Sequence, residues 1–118
     1  MQGHVLVVED SELVTSALSV LLESAGHRVS IAGSVAEALA LSPAEPRSLV
    51  LLDLTLPDGD GLALVDPLRA LRWNNVVALT GHDDPDTRAR CISAGCVDVL
   101  VKPVPARELV SKVATWLG

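Results

Sequence analysis

The 118-residue sequence contains no phenylalanine and no tyrosine, and Trp73 and Trp116 are its only large aromatic side chains. A core of this composition must be filled by Val, Leu, Ile and Ala, so its order rests on aliphatic packing rather than on ring contacts. Cysteine is scarce as well. Cys91 and Cys96 stand in CISAGC, a separation that suits neither paired zinc ligands nor a CxxC redox couple. Both are expected to be reduced, half-buried packing residues. Basic residues are few: 9 Lys and Arg against 15 Asp and Glu leave a formal net charge of -6 and a pI near 4.8. That balance argues against a surface built to track phosphate backbones, so direct nucleic-acid binding is not expected. The chain also lacks an apolar run of the roughly 18 residues that a bilayer span needs, and no basic segment leads into an apolar stretch near Met1. A cytosolic protein with no membrane partner is expected.

What the chain does have is a repeating pattern. Short runs dense in Val and Leu alternate with longer stretches whose apolar residues recur at helical spacing. HVLVVED, RVSIA, SLVLLD, NVVALT and VDVLVK read as strands, and three of them are nearly unbroken apolar runs, as parallel strands covered on both faces require. The first helix should turn Leu13, Val14, Ala17, Leu18, Leu21, Leu22 and Ala25 inward, with Ser11 at its start and Gly26 at its end. SVAE, from Ser34 to Glu37, matches a capping box. Pro85 and Pro105 suit first helical positions, where a missing N–H costs nothing. A third helix from Gly61 to Arg72 is expected to kink at Pro67. The last helix should face Val110, Val113, Ala114 and Leu117 toward the sheet, and Arg107, Glu108 and Lys112 outward.

Five such β-α units in one chain of this length predict an α/β fold: a single domain over residues 1–118 with a five-stranded parallel sheet, right-handed crossovers and helices on both faces. An eight-stranded barrel does not fit. In open sheets of this kind the reactive site lies beyond the carboxyl ends of the strands. Those ends carry Glu9 and Asp10, then Asp53, Thr80 and Lys102. Three carboxylates in one cleft repel each other, by up to about 4 kcal/mol for a pair 4 Å apart at an effective dielectric near 20. A divalent cation relieves that repulsion, and an all-oxygen ligand set without His or Cys favours Mg²⁺, or Mn²⁺, over zinc. Asp53, at the end of the most hydrophobic segment, is then a candidate nucleophile on a rigid support, able to form an aspartyl phosphate. Thr80 and Lys102 can contact the phosphoryl oxygens, and no general base is needed because the carboxylate attacks already ionised.

In this order, VVED, LLDLTLPDGDG, ALTG and VKP make the sequence resemble the receiver domain of two-component response regulators from the first strand to the last helix. The resemblance implies a flavodoxin-like doubly wound sheet in the order 2-1-3-4-5. It implies that Asp53 accepts a phosphoryl group from the phosphohistidine of a sensor histidine kinase or histidine phosphotransfer protein. It further implies Mg²⁺ held by Asp10, Asp53 and the Thr55 carbonyl with help from Glu9, switch and phosphate-contact roles for Thr80 and Lys102, and a cis bond before Pro103. Such a domain catalyses its own phosphorylation and dephosphorylation without being a turnover enzyme. It serves a fused or separate output domain, and none is expected within these residues. Family members dock partners on the side of the fourth and fifth helices.

One position departs from the pattern. Where the family carries Phe or Tyr on the fifth strand, three residues before the lysine, this chain has Val99, so the usual aromatic switch is missing and a small response to phosphorylation is expected. Thr55 and His82 occupy positions that flank the phosphoryl group in the family, with His82 read as a solvated loop residue. His4 and His27 are read as surface or strand-edge residues, and HDDPD as helix-start decoration. Two other functions compete: a degenerate receiver that binds partners without phosphorylation, and an aspartyl-nucleophile phosphatase. The phosphatase would need a second aspartate at position 55 as general acid, where Thr55 stands. Nucleotide-binding glycine motifs are absent from the sequence.

Overall fold

The five Val- and Leu-rich runs form one parallel sheet in a computed structural model that describes residues 3–118. The strands are β1 (His4–Val8), β2 (Arg28–Ala32), β3 (Ser48–Asp53), β4 (Asn75–Thr80) and β5 (Asp98–Val101), in the spatial order 2-1-3-4-5. All four neighbouring pairs are parallel. The connections carry α1 (Glu12–Ser24), α2 (Val35–Leu39), α3 (Val65–Ala70), α4 (Pro85–Ala94) and α5 (Ala106–Leu117).

Alternation along the strands explains why their sequences do not alternate. Val5, Val7, Leu49, Leu51, Val77 and Leu79 point to one face, where Leu22 of α1 and Leu109, Val113 and Leu117 of α5 cover them. Leu6, Val8, Val50, Leu52, Val76 and Ala78 point to the other, against Ala38 of α2, Val65 and Leu68 of α3 and Cys91 of α4. Both sets are buried, so both must be apolar. Trp73 fills the end of the second layer at 1% exposure, and its indole N–H donates to the Leu41 carbonyl at 3.3 Å.

Several helix details differ from expectation. On α1 only Thr15 and Leu22 are buried, Ala17 and Ala25 are exposed, and Leu13 is 86% exposed. At about 100° per residue Leu13 lies half a turn from Leu22, so one buried face cannot hold both. On α5 the buried set is Leu109, Val113 and Leu117, while Ala114 faces solvent and Val110 is half-buried. Pro105 caps α5 rather than opening it, whereas Pro85 does open α4. Ser11 stands at the start of α1 but makes no side-chain cap bond, and Ala25 is the C-cap, followed by Gly26 at φ 93°.

Pro67 lies at the start of the third helix rather than in its interior. A 3-10 turn over Gly61–Leu64 leads into α3, which places Pro67 in the first α-helical turn, where its missing N–H leaves no bond broken. The segment ends before Arg72, which takes φ 81°. Cys91 and Cys96 are fully buried rather than half-buried. His4 is interior too: it is 4% exposed, packs against Trp73 with ring centroids 4.9 Å apart and the rings tilted by 60°, and bonds Ser30 Oγ and the Ala44 N–H.

Candidate functional site

Register places the polar strand ends together. Val8 pairs with Leu52, Asp53 with Leu79 and Thr80 with Val101, so the residues that close β1, β3, β4 and β5 share one rim. Glu9 follows β1 and donates its backbone N–H to the Ala32 carbonyl at 2.9 Å. Asp53 and Thr80 are the last residues of β3 and β4. Lys102 follows β5, its N–H bonded to the Thr80 carbonyl at 2.8 Å. Side chains at these points inherit the rigidity of the sheet.

Each of Glu9, Asp10 and Asp53 offers a carboxylate oxygen, and these oxygens lie within 4.8 Å of one another. Glu9 and Asp53 are buried, at 4% and 8% exposure, while Asp10 is open to solvent. Lys102 Nζ lies 2.9 Å from Glu9 Oε2 and 3.5 Å from Asp53 Oδ1, which draws the fifth strand's cation into the cluster. Burial pushes the Glu9 carboxyl above its usual pKa, and the neighbouring Asp53 carboxylate adds to the rise while Lys102 opposes it. For Lys102, burial pulls the ammonium's pKa down, but the bond to Glu9 and the Asp53 and Glu9 charges outweigh it and hold the pKa above the usual lysine value. Three carboxyl groups gathered at one rim, with an ammonium against two of them, make an acidic cluster whose donors are all oxygen. That donor set fits a hard divalent cation.

The turn after Asp53 is built by close backbone approach. Thr55 N–H donates to Asp53 Oδ1 at 3.3 Å, and Gly61 N–H donates to the Leu54 carbonyl at 3.1 Å. A Cβ on Gly61 would meet the Leu54 Cα at 2.9 Å and press on the Asp53 carbonyl, so only glycine lets the turn close there. Thr55–Leu56 and Gly59–Asp60 form a two-residue antiparallel ladder that the strand pattern did not reveal. Its tip is tied down by Asp58, whose carboxylate accepts from the Val35 and Ala36 N–H groups of α2.

Thr80 Oγ accepts the His82 N–H at 3.1 Å, which leaves the hydroxyl proton free to point toward the cluster. His82 is exposed in the loop. In HDDPD, Asp84 accepts from both the N–H and the hydroxyl of Thr87, a helix cap as expected. Val99 is 5% exposed and packs into the core. The Lys102–Pro103 bond is cis. Burial pushes the Cys96 thiol up to about 12 and raises Cys91 as well, so neither offers a ready thiolate. The Lys102 bridge to Glu9 and the Asp58 tie both escaped the sequence reading. The first joins side chains 93 residues apart, and the second had only an Asp in a Pro-Asp-Gly turn as its signal.

Comparison with known proteins agrees with this architecture. The family model described as the response regulator receiver domain matches residues 5–114. The transcriptional regulatory protein PmrA of Pectobacterium parmentieri is 39% identical over 109 residues, which cover 92% of this chain and 49% of that protein. The TorCAD operon regulatory protein TorR of Escherichia coli O157:H7 is 32% identical over 117 residues, covering 99% of this chain and 51% of that one. The chain thus spans about half the length of these curated relatives. Among solved structures, the receiver domain of a sensor histidine kinase from Pseudomonas aeruginosa, with a magnesium ion coordinated in its active-site cleft, superposes with a TM-score of 0.82 at 28% identity. The match covers 100% of this chain and 99% of that one. A two-component response regulator from Clostridium difficile gives a TM-score of 0.89 at 25% identity, over 98% and 96% of the two chains.

Proposed function

The chain belongs to the response regulator receiver domain family, and from that premise we propose that its 118 residues form a single receiver domain in which Asp53 is the phosphoacceptor. The observation that carries the reading is the rim itself: three carboxylate oxygens within 4.8 Å of one another, with the Lys102 ammonium against two of the acids.

The donor is a phosphohistidine on a sensor histidine kinase or histidine phosphotransfer protein. An Asp53 oxygen forms the new P–O bond as the P–N bond breaks, and the electron pair of that bond stays on the imidazole nitrogen. Glu9, Asp10, Asp53 and the Thr55 carbonyl are the groups that would hold Mg²⁺, which when bound supplies positive charge for the phosphoryl oxygens; the magnesium in the Pseudomonas neighbour's cleft supports this assignment. Lys102 is in reach of the nucleophile and can follow charge from the carboxylate to a phosphoryl oxygen. The Thr80 hydroxyl is free to donate a hydrogen bond to a second such oxygen. Asp53 is already backed by the Thr55 N–H, which orients one oxygen and leaves the other to attack.

The domain speeds its own phosphorylation and dephosphorylation and passes the state to an output domain or the next protein in a relay. It acts in the cytoplasm and binds no nucleic acid itself; in support, the net charge is -6, and among the described residues no helix is long and apolar enough to cross a membrane. The test is incubation with acetyl phosphate and Mg²⁺ followed by mass spectrometry. A labile addition of one phosphoryl group, absent in Asp53→Asn, is expected. No addition in the unsubstituted protein would make it a phosphorylation-independent binding module, and steady release of phosphate from varied esters would make it a phosphatase.

A further inference from the structure

We propose that Asp58 is a positioning residue for the metal site, a role that rests on the receiver reading above. The Thr55 carbonyl belongs to a ladder of only two residue pairs, Thr55 with Asp60 and Leu56 with Gly59. A hairpin that short has no independent stability, so its geometry depends on what holds its two ends. Its base is held: Leu56 is buried, Gly61 N–H bonds the Leu54 carbonyl, and Asp60 Oδ1 accepts the Leu62 N–H at 3.0 Å.

The tip is held by Asp58 alone among its polar side-chain contacts with α2. One carboxylate oxygen accepts the Val35 N–H at 2.8 Å and the other the Ala36 N–H at 3.3 Å. A second observation places the tip on the same helix: a Cβ at Gly59 would come within 3.3 Å of Val35 Cγ2. The bond to Val35, and then that to Ala36, holds the Asp58 carboxyl below the usual aspartate pKa, so it stays ionised at neutral pH. Within α2 the local cap serves other groups, Ser34 Oγ accepting the Glu37 N–H and Glu37 reaching back to the Gly33 N–H at 2.7 Å, so the first two helical N–H groups are left for Asp58. Asp58 therefore joins the loop to the helix. It restricts where the Thr55 carbonyl can lie before any cation arrives.

The experiment compares the full chain with Asp58→Ala, Asp58→Asn and Ser34→Ala by Mg²⁺ titration calorimetry, with unfolding midpoints and amide exchange measured in parallel without metal. Asp58→Ala is expected to weaken Mg²⁺ binding about tenfold, as losses of groups that orient metal ligands commonly do, and to speed exchange at Val35 and Ala36. Asp58→Asn keeps one acceptor oxygen without the charge and is expected to retain most of the affinity. Ser34→Ala removes a cap of α2 without touching the loop, and should lower stability with Mg²⁺ affinity unchanged. Equal affinity in Asp58→Ala and the unsubstituted chain overturns the proposal. So does an equal loss in Ser34→Ala, which would trace the effect to helix stability, or an equal loss in Asp58→Asn and Asp58→Ala, which would trace it to charge. Absence of Mg²⁺ binding in the unsubstituted chain overturns both this role and the metal assignment on which it rests.

Discussion

Lys102 Nζ sits 2.9 Å from Glu9 Oε2 although 93 residues separate the two in the chain. The contact gives a buried carboxylate its counter-charge and keeps the ammonium beside Asp53, where a phosphoryl group would arrive. Stability and chemistry therefore share one side chain, and the two effects can be measured separately.

Replacing Lys102 with Met removes the cation but keeps much of the stem's volume. Glu9 then remains buried without its partner, and urea unfolding in a chelator at pH 7 should show a loss of about 2 kcal/mol, below the cost of breaking a fully buried pair. Phosphoryl uptake from acetyl phosphate should slow by about a hundredfold, the scale of losing one preorganised charge contact. Unchanged stability and rate together would remove Lys102 from the site.

Asp53→Asn deletes one of three mutually repelling acids. Without metal the variant should be more stable than the parent by about 1 kcal/mol, since Lys102 already offsets part of the repulsion. With Mg²⁺ present the gap should narrow or reverse, because the parent alone keeps the full ligand set. A parent that is the more stable in chelator would mean that the acids do not strain the fold.

Gly61→Ala puts a Cβ 2.9 Å from the Leu54 Cα. Backbone, not a flexible side chain, has to yield, so a loss of about 2 kcal/mol is expected, in the range of overpacked sites. Mg²⁺ affinity should fall with it, because the displaced turn contains Thr55. Calorimetry alongside thermal unfolding checks both, and normal metal affinity would show that the turn tolerates the shift.

His4 sets a pH dependence on stability. Its Nδ1 accepts the Ala44 N–H at 2.9 Å, so the proton belongs on Nε2, which donates to Ser30 Oγ. Burial, and then the charge of Arg28, lower its pKa from 6.5, with Glu45 opposing. The unfolded chain therefore binds the proton more readily. The stabilising contribution is complete above about pH 6.5, declines as pH falls below that, and levels off beneath the lowered native value. His27 is shifted in the same direction, chiefly by burial, so the two are separated by substitution. Urea midpoints between about pH 5 and pH 7.5 should lose part of their slope in His4→Gln, and a slope unaltered by that change would rule the ring out.

Val99 leaves little for phosphorylation to rearrange. Its side chain is already buried in the core, so no ring waits at the surface to turn inward when Thr80 engages a phosphoryl oxygen. NMR spectra of the free and beryllofluoride-bound protein should differ around Leu54–Gly61 and Thr80–Asp84, with small changes over α4 and α5. Wide changes across those two helices would show that another element carries the switch.

Much of this was legible along the chain because it depends on neighbours in sequence. The unbroken strands, the Ser34 cap, Pro85 at a helix start and the polar residues at the ends of β1, β3, β4 and β5 are set by backbone periodicity and steric rules that act over a few residues. The α1 stripe was misread for the opposite reason. Leu13 and Leu22 are both apolar, and which of them meets the sheet depends on how the helix lies across it.

The order of strands and helices, and the row of acids, threonine and lysine at the strand ends, were thus inherent in the residues, since local pattern dictates them. Folding in three dimensions settled the rest: that His4 is interior, that Lys102 reaches Glu9, and that Asp58 fastens one loop to another element's helix. Those contacts join segments from 22 to 93 positions apart. Parallel crossovers determine their distances, and no short stretch of sequence carries that information.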